Sequence, residues 1–166
     1  DNFIIGGALA NTFLAAAGYD IGDSLYEKDE VATAQEIMLA AEKAKKNFIL
    51  PRDVVVASSI NDKAETLTLP VQDVEGDMKI LDVGPMSLAR YAQIIKKSKT
   101  IIWNGPMGLF EYKPFANGTK VMAKEVAGSK ATTILGGGDT IEALKRFKIS
   151  FSKFGHISTG GGAMLE

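Results

Sequence analysis

Short apolar strands alternate with helical segments along this chain of 166 residues, and clusters of glycine follow several of the strands. Strands that alternate with helices of ten to fifteen residues indicate βαβ units and a parallel sheet. We therefore predict an α/β fold of the Rossmann-like, doubly wound kind, with three layers and helices on both faces of a mostly parallel sheet. Ten of the 17 glycines stand in four clusters, at Gly6-Gly7, Gly105 with Gly108, Gly136 to Gly138, and Gly160 to Gly162.

Each glycine cluster follows a predicted strand. The predicted strands are 3–5, 48–50, 54–56, 66–69, 80–81, 100–103, 131–135 and 155–157, and the predicted helices are 8–18, 29–46, 87–97, 115–127 and 139–148. Ligands of open α/β sheets bind outside the carboxyl ends of the strands. The four clusters are therefore expected to share one rim of the fold.

Composition excludes several classes of protein. The 19 basic and 20 acidic side chains give a net charge of -1, which argues against a strongly basic surface for nucleic acid. No apolar run approaches the ~20 residues that a membrane span needs. The chain has no cysteine, so disulfide scaffolds, thiolate zinc sites and cysteine nucleophiles are excluded. The length suits one domain. Because the chain opens on a strand without Met and stops where a helix would begin, we expect a domain truncated at both ends.

The segment from Gly136 to Thr140 is typical of a phosphate site. Glycines between a strand and a helix start expose backbone N–H groups at the positive end of a helix dipole. A carboxylate at Asp139 would repel phosphate unless Mg²⁺ lay between them. The alternative is that Asp139 is only the N-cap of its helix, and the two roles are compatible.

Two further segments carry weaker signals. The run from Ser158 to Ala163 repeats the order of strand, hydroxyls, three glycines and helix start, although a tight turn explains it equally well. Neither glycine run matches the dinucleotide or P-loop pattern. In the segment 103–111, Asn104 offers a polar group and Glu111 could bind ribose hydroxyls; the alternative is a solvated turn with Trp103 and Phe110 in the core. The single histidine, His156, is expected to pair with a carboxylate, not with a metal.

Four motifs in register, IIGGALANTFL, WNGPMGLFE, GGGDT and STGGGA, resemble those of the phosphoglycerate kinase family over essentially the whole chain. Members transfer a phosphoryl group between 1,3-bisphosphoglycerate and ADP, giving 3-phosphoglycerate and ATP, with Mg²⁺. They have an amino-terminal glycerate-binding domain and a carboxy-terminal nucleotide-binding domain, and residues 1–166 resemble the second.

The resemblance implies a role for each matching residue. Gly6, Gly7 and Leu25 would line the adenine pocket, with Ile80 nearby. Asn104 and Pro106 would lie beside the nucleotide, and Glu111 would bind the ribose. The phosphates would be held by Gly137, Gly138, Asp139 and Thr140, with Asp139 as the Mg²⁺ ligand. The catalytic set facing the transferred group would be Gly138, Thr159, Gly160, Gly161 and Gly162. His156 would lie near the interdomain hinge.

The resemblance has departures and gaps. Ala8 replaces a third glycine, and Ile80 replaces a glycine of some members, which would narrow the adenine pocket. The phosphate-binding lysines of the family would precede Asp1, and the glycerate site belongs to the other domain. We therefore expect a cytoplasmic monomer that binds ATP or ADP, takes glycerates only with the missing domain, and does not catalyse alone. The alternative is a non-catalytic α/β module that binds a nucleotide or another anion.

Overall fold

The computed structural model describes residues 1–158, 160 and 161, and these form an α/β fold. The strands are β1 (Asn2–Ile4), β2 (Asn47–Ile49), β3 (Asp53–Ala57), β4 (Leu67–Pro70), β5 (Lys79–Val83), β6 (Thr100–Asn104), β7 (Thr132–Gly136) and β8 (His156–Ser158). The α-helices are α1 (Gly7–Ala16), α2 (Val31–Lys43), α3 (Pro85–Lys97), α4 (Asn117–Ala127) and α5 (Gly138–Arg146). The α/β prediction is confirmed.

The parallel strand pairs bring three of the four glycine clusters, those after β6, β7 and β8, to one level. β1 pairs with β2, and β7 lies between β6 and β8, all in parallel. In this register Asn104 is opposite Gly136, and Gly136 is opposite Ser158. Because three neighbouring strands end at the same height, the segments that follow them start side by side.

A third sheet, antiparallel and in the order β4-β3-β5, was not part of the prediction. The segment 66–69 was predicted as a strand, and β4 confirms this. The run Val54 to Val56 is uniformly apolar, and such a run suits parallel and antiparallel neighbours alike. Its sequence therefore did not indicate antiparallel pairing. The sheet places the early residues of β5 next to the carboxyl end of β1, where the cavity described below is found.

Three apolar clusters hold these sheets in place, and the smallest packs Phe13 of α1 and Ala34 of α2 against Phe48 of β2. The largest lies around β6 and β7, where α3 and α4 bury Tyr91 and Val126 against Leu135. The second packs α1 through Leu14 against Val54 and its neighbours in the antiparallel sheet. The helix predicted over 29–46 is shorter as α2, because a 3₁₀ turn precedes it and the chain leaves helical geometry at Lys45, whose φ is 53°.

Two further observations concern the lengths of the helices and a groove between two strands. Within residues 1–158, 160 and 161, no helix is both long and apolar enough to cross a membrane. A groove of about 530 Å³ lies between β1 and β6, lined by Ile4, Ile94 and Ile102 among others. Neither β1 nor β6 has a described strand partner on the side of this groove.

Candidate functional site

A cavity of about 550 Å³ opens where β1 and β6 end, with β5 along one side. Eight of the eleven residues that the resemblance assigns to the nucleotide lie in its wall: Gly6, Gly7, Leu25, Ile80, Asn104, Pro106, Glu111 and Asp139. The other three, Gly137, Gly138 and Thr140, lie next to Asp139 at the start of α5 but do not line the cavity. The structure thus brings together residues that are more than 130 positions apart.

The first glycine pair is pressed against the segment after β6. The N–H of Gly7 donates a hydrogen bond of 3.1 Å to the carbonyl of Met107. A Cβ atom on Gly7 would lie 2.8 Å from the carbonyl oxygen of Pro106, and the φ of Gly7 is +63°. A Cβ atom on Gly6 would overlap the Met107 side chain. Glycine is therefore required at Gly7 for packing between two segments, independently of any ligand, whereas at Gly6 the obstacle is only the flexible end of a side chain.

The segments after β6 and β7 are joined by Thr140. Its side chain is fully buried, and its hydroxyl accepts a hydrogen bond of 2.8 Å from the N–H of Gly105. The φ of Gly137 is +94°, and a Cβ atom there would lie 2.5 Å from Oδ1 of Asn104. By contrast, a Cβ atom on Gly138 would meet nothing within 4 Å. Gly138 therefore leaves open space beside the first turn of α5.

Asp139 is exposed in the first turn of α5 and does not cap it. The N-cap of α5 is Gly137, and no side chain accepts a capping hydrogen bond. The N-cap interpretation of Asp139 is therefore wrong, because the carboxylate follows the cap by two positions. Within the described residues, the Asp139 side chain has no hydrogen bond or ion pair.

The surroundings of Asp139 bear on the expected metal. The described part of the chain contains no group of three or more His, Asp or Glu side chains that could hold a metal ion. Mg²⁺ is commonly bound by only one or two carboxylates together with phosphates and water. A single free carboxylate beside a helix N-terminus fits a Mg²⁺ ion shared with a phosphorylated ligand, and it does not fit a metal held by protein alone.

The segment 103–111 combines a buried and an exposed side. Trp103 and Phe110 are buried, as the solvated-turn alternative predicted. The indole N–H of Trp103 donates a hydrogen bond of 2.7 Å to the carbonyl of Gly105. Asn104 and Glu111 are nevertheless exposed in the cavity wall. The guanidinium of Arg146 donates a hydrogen bond of 2.6 Å to the backbone carbonyl of Glu111. α5 therefore fixes the position at which Glu111 enters the cavity.

Part of the cavity wall is formed by apolar side chains from segments far from α5 in the sequence. Leu25 is 76% exposed, and Leu9 and Ile60 are also exposed although both are large apolar residues. The segment that carries Leu25 is held to β5, because the N–H of Ile80 donates a hydrogen bond of 2.8 Å to the hydroxyl of Ser24. Exposed apolar side chains that line a cavity are typical of a site for a flat, apolar ligand group.

Sequence reasoning missed Asp82, which lies in the cavity wall at 3% exposure. Its carboxylate accepts hydrogen bonds from the N–H of Gly118 at 2.7 Å and of Val83 at 2.8 Å. Burial raises the pKa of Asp82 to about 7, although these backbone N–H groups oppose the rise. A Cβ atom on Gly108 would overlap the carboxylate. Asp82 thus holds the start of α4 against the segment 103–111, and its position at the end of an apolar strand was the available signal.

The last predicted segment is described only in part. Thr159 and Gly162 lie outside the described residues, so their predicted catalytic role stays a prediction. The hydroxyl of Ser158 accepts a hydrogen bond of 3.2 Å from the N–H of Gly160, and the φ of Gly161 is +57°. His156 is exposed and forms no ion pair with any described carboxylate, contrary to expectation.

Comparisons with known proteins agree with this geometry. A family model described as phosphoglycerate kinase matches residues 1–166. The phosphoglycerate kinase of Desulfovibrio desulfuricans is 46% identical over 166 residues, which are 100% of this chain and 42% of that protein. The phosphoglycerate kinase structure from Coxiella burnetii has a TM-score of 0.96 at 41% identity, over 99% of this chain and 42% of its own.

A more distant relative shares the fold. The crystal structure of phosphoglycerate kinase from Pyrococcus horikoshii OT3 has a TM-score of 0.79 at 32% identity, over 99% of this chain and 41% of its own. The chain therefore spans about two fifths of the length of these relatives. Because the family model matches every one of its 166 residues, the chain belongs to the phosphoglycerate kinase family.

Proposed function

We propose that this chain is the nucleotide-binding part of a phosphoglycerate kinase, which transfers a phosphoryl group reversibly between 1,3-bisphosphoglycerate and ADP to give 3-phosphoglycerate and ATP. The observation that carries the proposal is the single cavity that collects eight of the eleven expected nucleotide residues. Family membership supports the reaction class. The glycerate site is proposed to lie in the part of the relatives that this chain does not match.

The cavity wall offers different groups to the base, the ribose and the phosphates of a nucleotide. The exposed side chains of Leu25 and Ile60 give the base an apolar surface, and Glu111 offers a carboxylate to the ribose hydroxyls. The phosphates are placed near Asp139 and the open space at Gly138, where α5 begins. A Mg²⁺ ion bound there would neutralise phosphate charge, and Asp139 would be its protein ligand.

Phosphoryl transfer needs no protein nucleophile, because it depends on positioning and on stabilising charge. Among the proposed catalytic residues, Gly138 and Gly161 can supply backbone N–H groups, whereas the N–H of Gly160 donates to Ser158. Thr159 and Gly162 complete the predicted set. Without a glycerate site, the chain by itself is expected to bind nucleotide and not to turn over. Its cytoplasmic location and monomeric state stay predictions.

The test is a calorimetric titration of the 166-residue chain with ADP, in the presence and absence of Mg²⁺, with NADH as a control ligand. We expect ADP to bind more tightly when Mg²⁺ is present, and NADH to bind weakly. Asp139→Asn should abolish the effect of Mg²⁺, because the variant lacks the carboxylate. Glu142→Gln is the matched control, since Glu142 is an exposed acid on the same helix outside the cavity wall.

Two results would contradict the proposal. If NADH binds as tightly as ADP, or if Mg²⁺ has no effect on the wild type, the alternative of a non-catalytic anion-binding module is favoured. If Asp139→Asn keeps the full Mg²⁺ effect while Glu142→Gln also keeps it, Asp139 is not the metal ligand.

A further inference from the structure

Many lysines of the chain lie in the segments that lead from helices into parallel strands. Three such segments, residues 43–47, 96–100 and 127–131, precede β2, β6 and β7, and together they contain seven lysines and no acidic residue. The rest of the chain has 12 basic and 20 acidic side chains. The net charge of -1 is therefore the sum of a positive region, which we call the basic pole, and a negative remainder.

The basic pole lies at the end of the sheets that is opposite to the cavity. The cavity opens where β1 and β6 end, whereas Asp1 and Lys99, at the starts of these strands, line the groove between them. The ammonium group of Lys46 lies 2.6 Å from the Asp1 carboxylate. Thr132, at the start of β7, donates its N–H to the carbonyl of Lys99 at 2.9 Å. The three segments are therefore neighbours, and a partner bound to them would leave the cavity open.

Most of the positive charge at the basic pole is not neutralised within the chain. All seven lysines are exposed. Lys46 pairs with Asp1, and Lys96 lies 4.0 Å from Glu125. In the part of the chain that the structure describes, the other five have no carboxylate within 4 Å. Because like charges held close together repel one another, an anionic partner would stabilise this arrangement.

Helix stability accounts for only some of these lysines. A cation in the last turn of a helix interacts favourably with the helix dipole, and three of the seven lie in the last turns of α2 and α3. The other four follow the helix ends. One of them, Lys45, has a left-handed backbone with a φ of 53°, whereas α1 has Gly18 at the corresponding place. Glycine adopts this conformation more readily, so the helix end does not require a lysine there.

A groove of about 290 Å³ borders the basic pole between α3 and the strands β1 and β2. Its wall includes Lys97 and Arg90 together with the side-chain amides of Asn2, Asn47 and Gln93. Arg90 is partly buried, and it forms no ion pair with a described carboxylate. Cationic groups can pair with carboxylates, and amide groups can both donate to and accept from a peptide backbone.

We propose that the basic pole is a docking surface for an acidic peptide segment of another protein. The Asp and Glu side chains of that segment pair with the lysines, and its backbone lies along the groove beside α3. Charge complementarity of this kind determines partner choice and the rate of association more than affinity.

The composition of the chain favours a short acidic segment over a nucleic acid. The three segments contain no aromatic side chain on which the bases of a single strand could stack. A long polyanion would also extend beyond the basic pole, onto a surface where acidic side chains outnumber basic ones. A short peptide avoids this repulsion.

The test measures the fluorescence anisotropy of a fluorescein-labelled oligoglutamate peptide as the 166-residue chain is added. A peptide of equal length made of glycine and serine is the uncharged control. We expect saturable binding of oligoglutamate only. Its affinity should fall as NaCl is raised from about 20 mM to about 300 mM, because salt screens exposed charges.

A triple variant locates the binding surface. Lys45→Gln, Lys97→Gln and Lys99→Gln together should weaken the binding of oligoglutamate about tenfold, because each exposed ion pair adds only a small part of the affinity. Urea denaturation shows whether this variant is folded. If it is not, the single reversal Lys97→Glu tests the same surface, and it should also weaken binding.

The matched control variant carries Lys28→Gln, Lys63→Gln and Lys120→Gln. These three lysines are exposed and lie outside both the basic pole and the cavity wall. The two triple variants have the same net charge, so the control should bind oligoglutamate nearly as the wild type does.

Three results would overturn the proposal. The first is a wild type that does not bind oligoglutamate at low salt, or that binds the uncharged peptide equally well. The second is an equal loss of affinity in the two triple variants, which would show that binding follows net charge and not the basic pole. The third is tighter binding of a single-stranded oligonucleotide of the same charge, which would indicate a nucleic acid as the partner.

Discussion

The hydroxyl of Thr140 accepts a hydrogen bond of 2.8 Å from the backbone N–H of Gly105, and this bond joins two cavity segments that are 35 positions apart. Thr140 is completely buried. The residue that the GGGDT motif assigns to phosphate therefore also connects the segment after β7 to the segment after β6. Its hydroxyl hydrogen can still be donated, so the two roles are compatible.

The first prediction concerns this bond. Thr140→Val removes the acceptor while keeping the shape of the side chain, and it leaves the N–H of Gly105 without its partner. We expect the free energy of unfolding to fall by about 1–3 kcal/mol and nucleotide binding to weaken. Urea denaturation measures the first effect. Thr140→Ser, which keeps the hydroxyl, should recover most of the loss; equal stability of the Val variant and the wild type would contradict the role.

The second prediction concerns the approach of Gly7 to Pro106. Gly7→Ala places a Cβ atom 2.8 Å from the Pro106 carbonyl oxygen at a φ of +63°. We expect a loss of about 1–3 kcal/mol in the free energy of unfolding. Gly18→Ala is the control, because Gly18 also has a positive φ, +87°, but open space around the added atom. If both variants lose the same free energy of unfolding, the contact between the added Cβ atom and Pro106 does not destabilise the protein.

The third prediction is a pH dependence that originates at Asp82. Burial raises the pKa of this carboxyl from 3.8 to about 7, so the folded protein holds a proton there that the unfolded chain releases near pH 4. The contribution to stability is complete below pH 4 and is lost as the pH rises through 7. Relative to Asp82→Asn, whose amide does not titrate, the wild type should lose roughly 4 kcal/mol over this range.

Urea denaturation of both proteins at steps between pH 4 and pH 8 measures this difference. The difference should stop changing above the folded-state pKa, where Asp82 is ionised in both the folded and the unfolded protein. Parallel pH profiles of wild type and Asp82→Asn would show that the carboxyl does not titrate in this range.

Local pattern predicted the elements, because each depends on residues that are neighbours in sequence. The apolar run at 100–103 became β6, and the glycines after it lie at the cavity, as the parallel-sheet rule implied. The antiparallel pairing of β3 was not predictable, since the apolar run Val54 to Val56 suits parallel and antiparallel neighbouring strands equally. Asp82 was missed for a related reason: its hydrogen-bond partner, Gly118, is known only from the tertiary structure.

The wall of the cavity extends from Gly6 to Asp139, and its parts are held together by bonds between distant segments, such as those of Gly7 to Met107 and Gly105 to Thr140. No contiguous stretch of the chain contains the site. A ligand can therefore bind only to a chain that has folded over nearly its whole length, and occupancy and folding form one linked equilibrium. At a concentration of 100 times Kd, such a ligand adds about 2.7 kcal/mol to the stability of the entire domain.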